Sequence, residues 1–185
     1  MNVAYCFTGS FCTFSKSIAA LEGLVKAGYN VIPVMSYNAY NTDTRFGLAV
    51  EFRNKIKAIC SNDIIHTIAD AEPIGPKKLV DVAVVAPCTS NTLAKLAHGV
   101  NDTPVTMAVK SHLRNNRPVV IGVSTNDALA SSAKNIGALM NMRNIYFVPM
   151  AMDDAVKKPR SMVCDFSQIK NTTELAYKNE QIRIL

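Results

Sequence analysis

Short apolar runs recur along the chain, each followed by small or polar residues and then by apolar residues at helical spacing. Val3 to Phe7, Val31 to Met35, Val82 to Ala86, Val119 to Val123 and Ile145 to Val148 are the runs. Uninterrupted apolar runs bounded by turn residues predict strands buried on both faces, as in a parallel sheet covered by helices. Between the first two, Ile18, Leu21 and Val25 mark a helix from about Ser15 to Ala27, stopped by Gly28. Leu48, Phe52, Ile56 and Ile59 mark a second, capped by Asp43 or Thr44. Ser36 to Thr44 reads as a polar loop, and Ile64-Ile65 as a short strand. Glu72 to Lys78, with Pro73, Gly75 and Pro76, reads as irregular.

The stretch from Asp81 to Gly99 organises the rest. Pro87 cannot donate to a sheet ladder, so the central strand is expected to end there. Cys88 to Thr92 follow, then a helix carrying Leu93, Leu96 and Ala97 and closed by Gly99. Downstream, Asp102-Thr103-Pro104 caps another helix. Ser124 to Asp127 leads into one bearing Leu129, Ile136 and Met140. The segment after Pro149 is more polar, with a loop at Lys157-Lys158-Pro159 and a last helix near Thr173 to Glu180. Strands alternating with helices predict an α/β fold: a doubly wound, flavodoxin- or Rossmann-like parallel sheet in three αβα layers. Residues 1–150 hold this domain. Residues 151–185 form a C-terminal extension, either part of the same domain or a tail packed on a neighbouring protomer.

In such a sheet, ligands sit beyond the carboxyl ends of the strands at the topological switch point. Thr8 to Thr13, Ser36 to Thr44, Pro87 to Thr92 and Ser124 to Asp127 lie there, rich in hydroxyls and amides and poor in charge. Any one of these loops is explained by helix capping alone. Four on one edge point to an anion site built from neutral donors at helix N-termini. The first turn has one glycine where a dinucleotide fingerprint needs three, so a mononucleotide such as FMN suits it better than NAD.

Charge and composition change this picture little. The net charge of +6 comes from scattered Lys and Arg, without the basic tracts and interleaved aromatics of a nucleic-acid surface. No apolar run approaches the ~20 residues that cross a bilayer, and the first strand leaves no room for a leader. Five widely spaced cysteines without a Cys-x-x-Cys suggest reduced thiols in the cytoplasm. The three histidines lack metal-ligand spacing, so no metal is expected. Cys88 reads as a small buried hydrophobe rather than a nucleophile, and His98 as a C-terminal helix cap.

Pro87-Cys88-Thr89-Ser90-Asn91-Thr92-Leu93-Ala94-Lys95 resembles the Pro-Ala-Ser-Ala-Asn-Thr-Leu motif of the homo-oligomeric flavin-containing cysteine decarboxylases. Thr8-Gly9-Ser10 resembles their first FMN loop. Within that flavoprotein family, the chain resembles the branch formed by the B subunits of dipicolinate synthases. Thr42 to Gly47, Ala71 to Lys77, Arg114 to Val120 and Ser124 to Leu129 carry that similarity; Lys157 to Pro159 and Ser161 to Val163 extend it into the tail. The resemblance implies that Gly9, Ser10 and Phe11 meet FMN and that Ser36 bonds its phosphate. Thr89, Ser90, Thr92 and Ser124 complete the cofactor set, and Asn91 is the amide for a substrate carboxylate.

The same resemblance marks departures. The decarboxylases carry a catalytic His where Pro73 stands, and a Pro-Ala-Met-Asn segment where Val123-Ser124-Thr125-Asn126 stands. Flavin prenyltransferases carry an Arg-Glu pair at Ser124 and Thr125. Decarboxylation and prenyl transfer are therefore not expected, and no catalytic residue is assigned. The branch implies oxidation of a dihydrodipicolinate-type precursor to dipicolinate during sporulation, in the mother-cell cytoplasm. It also implies an A subunit resembling an NAD(P)-dependent dehydrogenase, and a trimer-based homo-oligomer. Whether this chain oxidises the precursor or only completes its partner stays open at the level of sequence.

Overall fold

The computed structural model describes residues 1–183. Five parallel strands form its centre: β1 (Asn2–Phe7), β2 (Asn30–Met35), β3 (Val82–Cys88), β4 (Val119–Thr125) and β5 (Ile145–Phe147). Their order is β2-β1-β3-β4-β5, the doubly wound flavodoxin arrangement. Every residue of β3 is buried, as its unbroken apolar run requires. The helices are α1 (Phe14–Lys26), α2 (Tyr37–Asn41), α3 (Ala49–Cys60), α4 (Ile68–Ala71), α5 (Ser90–Ala97), α6 (Pro104–Leu113), α7 (Ala133–Met140) and α8 (Ile169–Tyr177). α1 packs with α3 and α8, while α6 packs with α4 and α5, and α5 with α7, giving the two outer layers.

Several local expectations are corrected. Pro87 does not end β3: pairing with β4 shifts between Val85 and Cys88, and Cys88 re-pairs with Val123. The missing N–H falls in that irregularity, where the ladder asks nothing of it. Ser36 to Thr44 is not all loop, because the Ser36 hydroxyl accepts from Ala39 N and opens α2. Asp43 caps α3 from a distance, its carboxylate accepting from Ala49 N at 2.8 Å. Ile65 forms one bridge to Val34 rather than a strand. Glu72–Ile74 closes a single 3-10 turn with Pro73 inside it.

Leu129 lies outside α7 and half exposed, because Asp127 gathers the preceding turn by accepting hydroxyls from Ser131 and Ser132. The largest correction is in the tail. Lys158 and Pro159 begin a strand, not a loop: β6 (Met150–Asp154) and β7 (Lys158–Cys164) form an antiparallel hairpin, and β7 joins β4 at Ser124 and Thr125. The last helix also starts earlier, at Ile169, after Asp165 caps the turn before it. α8 then packs on β3, β4, β5 and α1.

Candidate functional site

The loops after β1, β2, β3 and β4 converge on one edge of the sheet and enclose a cleft in two compartments, which share Gly9 and Thr89. The smaller, of about 380 Å³, is walled by Thr8, Ser36, Asn38, Asn91 and Thr92. The larger, of about 530 Å³, is walled by Ser10, Phe11, Ser90, Ser124, Asn126 and Val163, with Phe46 at its rim.

Thr8 is the joint between the first and third of these loops. Its hydroxyl donates to Pro87 O at 2.6 Å and accepts from Thr89 N at 3.1 Å. Thr89 in turn caps α5, its hydroxyl accepting from Thr92 N and its carbonyl from Leu93 N. The N–H groups of Ser90 and Asn91 have no acceptor among the described residues, so the helix start faces the cleft with free donors. On the other side, the Ser124 hydroxyl lies 2.9 Å from that of Ser10 and 3.2 Å from that of Thr13, tying β4 to the β1 loop.

The charges in the cleft are paired. Lys95 Nζ meets both oxygens of Asp102 at 2.7 and 2.9 Å, and the bond holds the Asp102 carboxyl below its ordinary pKa. Lys158 Nζ meets Asp153 at 2.6 Å, and that hydrogen bond raises the lysine. Behind the larger compartment, burial pushes the Asp127 carboxyl up, but hydroxyls from Ser131, Thr125 and Ser132 outweigh it and hold the group ionised.

The structure brings every sequence-predicted residue to this cleft. Ser36, Asn91 and Thr92 line the smaller compartment, Ser10, Phe11, Ser90 and Ser124 the larger, and Gly9 and Thr89 both. Sequence reasoning missed Lys95, Thr103, Phe46 and the hairpin residues Asp153, Lys158 and Ser161. Lys95 stands four residues after Asn91 on α5, so helical spacing alone places it on the Asn91 face. The hairpin residues carried no such signal.

None of the three histidines lines the cleft. His98 bonds Ala94 O at 2.8 Å in the last turn of α5; His66 stacks on Tyr40 with ring centroids 4.1 Å apart; His112 is buried against Pro118 O. Burial pushes the Cys88 thiol far up, which leaves it a protonated core side chain.

The donor set fits a flavin mononucleotide. Hydroxyls, amides and free helix N–H groups suit a phosphate, and Phe11, Phe46 and Val163 supply apolar surface for a ring system. Gly9 supplies a second observation. A Cβ built there meets only Phe11 at 3.6 Å and Asn38 at 3.9 Å, ordinary contacts. No contact within the protein requires glycine at this point, and its bare backbone borders both compartments.

The model of the Flavoprotein family matches residues 1–175. The B subunit of dipicolinate synthase from Bacillus subtilis (strain 168) is 42% identical over 182 residues, which is 98% of this chain and 91% of the relative. The crystal structure of the dipicolinate synthase B subunit from Bacillus halodurans C superposes with a TM-score of 0.90 at 41% identity, covering 98% of this chain and 93% of the other. Burkholderia xenovorans DmrB, solved in complex with FMN, shares the fold with a TM-score of 0.69 at 20% identity, covering 92% and 91%.

Proposed function

Since the chain belongs to the Flavoprotein family and is a homologue of the dipicolinate synthase B subunit, we propose that it binds FMN and forms the flavin half of a dipicolinate synthase. The cleft over the four strand ends carries this reading, because it offers neutral donors beside an apolar wall. Ser36, Thr89, Thr92 and the free N–H groups of α5 hold the phosphate in the smaller compartment. Gly9, Ser10, Phe11, Ser90 and Ser124 hold the ring system in the larger. Asn91, exposed at the lip, presents its amide to a substrate carboxylate. Flavin, when bound, would supply an acceptor for the two electrons and one of the two protons that leave when a dihydropyridine ring becomes aromatic, the second proton passing to solvent.

The chain's own residues position rather than transfer protons. Thr8 fixes the Pro87 and Thr89 backbone, and the Ser10–Ser124 contact fixes the spacing of the β1 and β4 loops. The partner in this reading is a dehydrogenase-like A subunit using NAD(P), and the chain assembles as a trimer-based homo-oligomer. The setting is the cytoplasm of a sporulating mother cell. Residues 1–150 act as the flavin domain and residues 151–185 as an extension that also contributes Lys158 to the cleft wall. Among the described residues, no helix is long and apolar enough to cross a membrane.

One observation favours a second reading, in which the chain is a non-catalytic partner of the dehydrogenase. The cleft holds no histidine, and Pro73, where the decarboxylases place theirs, does not line it. That absence also argues against cysteine decarboxylation. Purified protein that is yellow, with a flavin absorption band, supports the first reading. Reconstitution with the dehydrogenase-like partner tests what both readings share: dipicolinate formed at full rate by that partner on its own removes this chain from the reaction. Asn91→Asp is expected to abolish dipicolinate formation while leaving the fold intact.

A further inference from the structure

The larger compartment contains one cationic side chain among its described residues, Lys158, and it comes from the β6–β7 hairpin rather than from the parallel sheet. The remaining wall is neutral apart from Asp153, which the lysine already meets. We propose that Lys158 is the specificity residue for acidic substrates: it releases Asp153 and takes a carboxylate of a planar dicarboxylic acid. This rests on the substrate class in the reading above.

Three features place the residue for that task. First, β7 is anchored to the sheet, since Val163 and Met162 pair with Ser124 and Thr125, and the Ser161 hydroxyl donates to Thr125 O at 3.3 Å. Second, the hairpin is irregular where Lys158 lies. Met152 faces Met162, but Asp154 faces Lys158, so β7 places three residues between these pairs where β6 places one. Bulges of this kind re-aim side chains next to sites. Third, the ion pair is built to exchange. The Lys158 side chain is 56% exposed and that of Asp153 35%, and such pairs contribute little net stability. Lys95 differs on each point: it grips both oxygens of Asp102, is 22% exposed, and lies in the smaller compartment.

Amides and hydroxyls suffice for one carboxylate. A second carboxylate on the same ring leaves more charge to offset, and a lysine ammonium offsets it with charge-assisted hydrogen bonds. Replacement of Asp153 by the ligand leaves the number of ion pairs unchanged when the ligand is anionic, whereas a neutral ligand offers the ammonium no partner in exchange.

Calorimetric titration of the full chain, with and without added FMN, uses pyridine-2,6-dicarboxylate and pyridine-2-carboxylate as probes. The wild-type chain is expected to prefer the diacid. Lys158→Gln should weaken diacid binding on the order of tenfold and leave the monoacid unchanged, while Lys158→Arg retains the preference. Asp153→Asn, which removes the competing carboxylate, should tighten the diacid, and this sign holds even if Lys158→Gln fails to fold. Equal diacid affinity in wild type and Lys158→Gln, equal loss of both acids, or no diacid preference in the wild type overturns the proposal. Quenching of FMN fluorescence is read separately, so a chain that takes no flavin refutes the cofactor reading while the flavin-free titrations still decide the role of Lys158.

Discussion

The hydroxyls of Ser10 and Ser124, 114 residues apart in the chain, lie 2.9 Å from each other at the floor of the larger compartment. Ser124 is buried and also meets Thr13, so the β1 loop and the end of β4 share one polar joint. Ser124→Ala leaves Ser10 free to turn toward Thr13, and the expected result is a modest loss of FMN affinity, about 1 kcal/mol for one hydrogen bond. Fluorescence titration checks it, with thermal melting to show that the fold is retained.

Ser36→Asp tests the phosphate assignment more severely. It places a carboxylate at the start of α2 against a dianion in a partly enclosed compartment, where close like charges cost several kcal/mol, on the order of a thousandfold in affinity. Ser36→Ala should be mild by comparison. Equal FMN affinity in wild type and Ser36→Asp would falsify the placement of the phosphate.

Gly9→Ala separates ligand effects from folding effects. Its Cβ meets only ordinary contacts within the protein, so the melting temperature of the free chain should stay within about 1 °C of wild type. The methyl group nevertheless occupies the boundary between both compartments, and FMN binding should weaken by roughly tenfold or more. An unchanged affinity would show that the ligand does not approach this backbone.

Gly75 gives the contrary case. A Cβ there falls 1.9 Å from the Ser111 carbonyl oxygen, a backbone atom that cannot move without disturbing α6. Gly75→Ala is expected to destabilise the fold by about 1–3 kcal/mol or more, read as a lower midpoint in urea. It lies away from the cleft, so the flavin affinity of whatever fraction folds should be that of wild type.

His112 predicts the acid limb of stability. Desolvation pushes its pKa from 6.5 down to about 4, with its ring nitrogen against Pro118 O and Nδ1 buried without a partner among the described residues. The unfolded chain therefore binds the proton first. The stabilising contribution is complete above pH 6.5 and is lost as pH falls toward 4, to a total on the order of 3 kcal/mol. Chemical denaturation across this interval should show stability rising with pH, and His112→Gln should flatten that slope. A slope that is the same in both proteins would refute the assignment.

Much of this protein was legible without coordinates because its central strands are buried on both faces. Val82 to Ala86 and Val119 to Val123 are buried throughout, and apolar continuity followed by capping residues already points to strand, turn and helix. The strand ends of a doubly wound sheet are where loops gather, so the loops that hold Gly9, Ser10, Ser36, Thr89 and Asn91 were readable as neighbours on one edge from that alternation. Resemblance named the individual residues; the loops and the lone glycine of the first turn had already pointed to a mononucleotide.

The hairpin was different. Met152, Asp153, Lys158 and Arg160 are not buried, so no alternation of apolar and polar residues announces their strands, and only pairing with Ser124 and Thr125 decides that they become sheet. Pro87 is similar: a lone sequence reads it as a stop, but whether a missing N–H matters depends on what the neighbouring strand asks for at that level. The division of the cleft, with Ser36 and Asn91 on one side and Ser10 and Ser124 on the other, also belongs to tertiary structure. Residues far apart in the chain met there through strand order, which local chemistry does not encode.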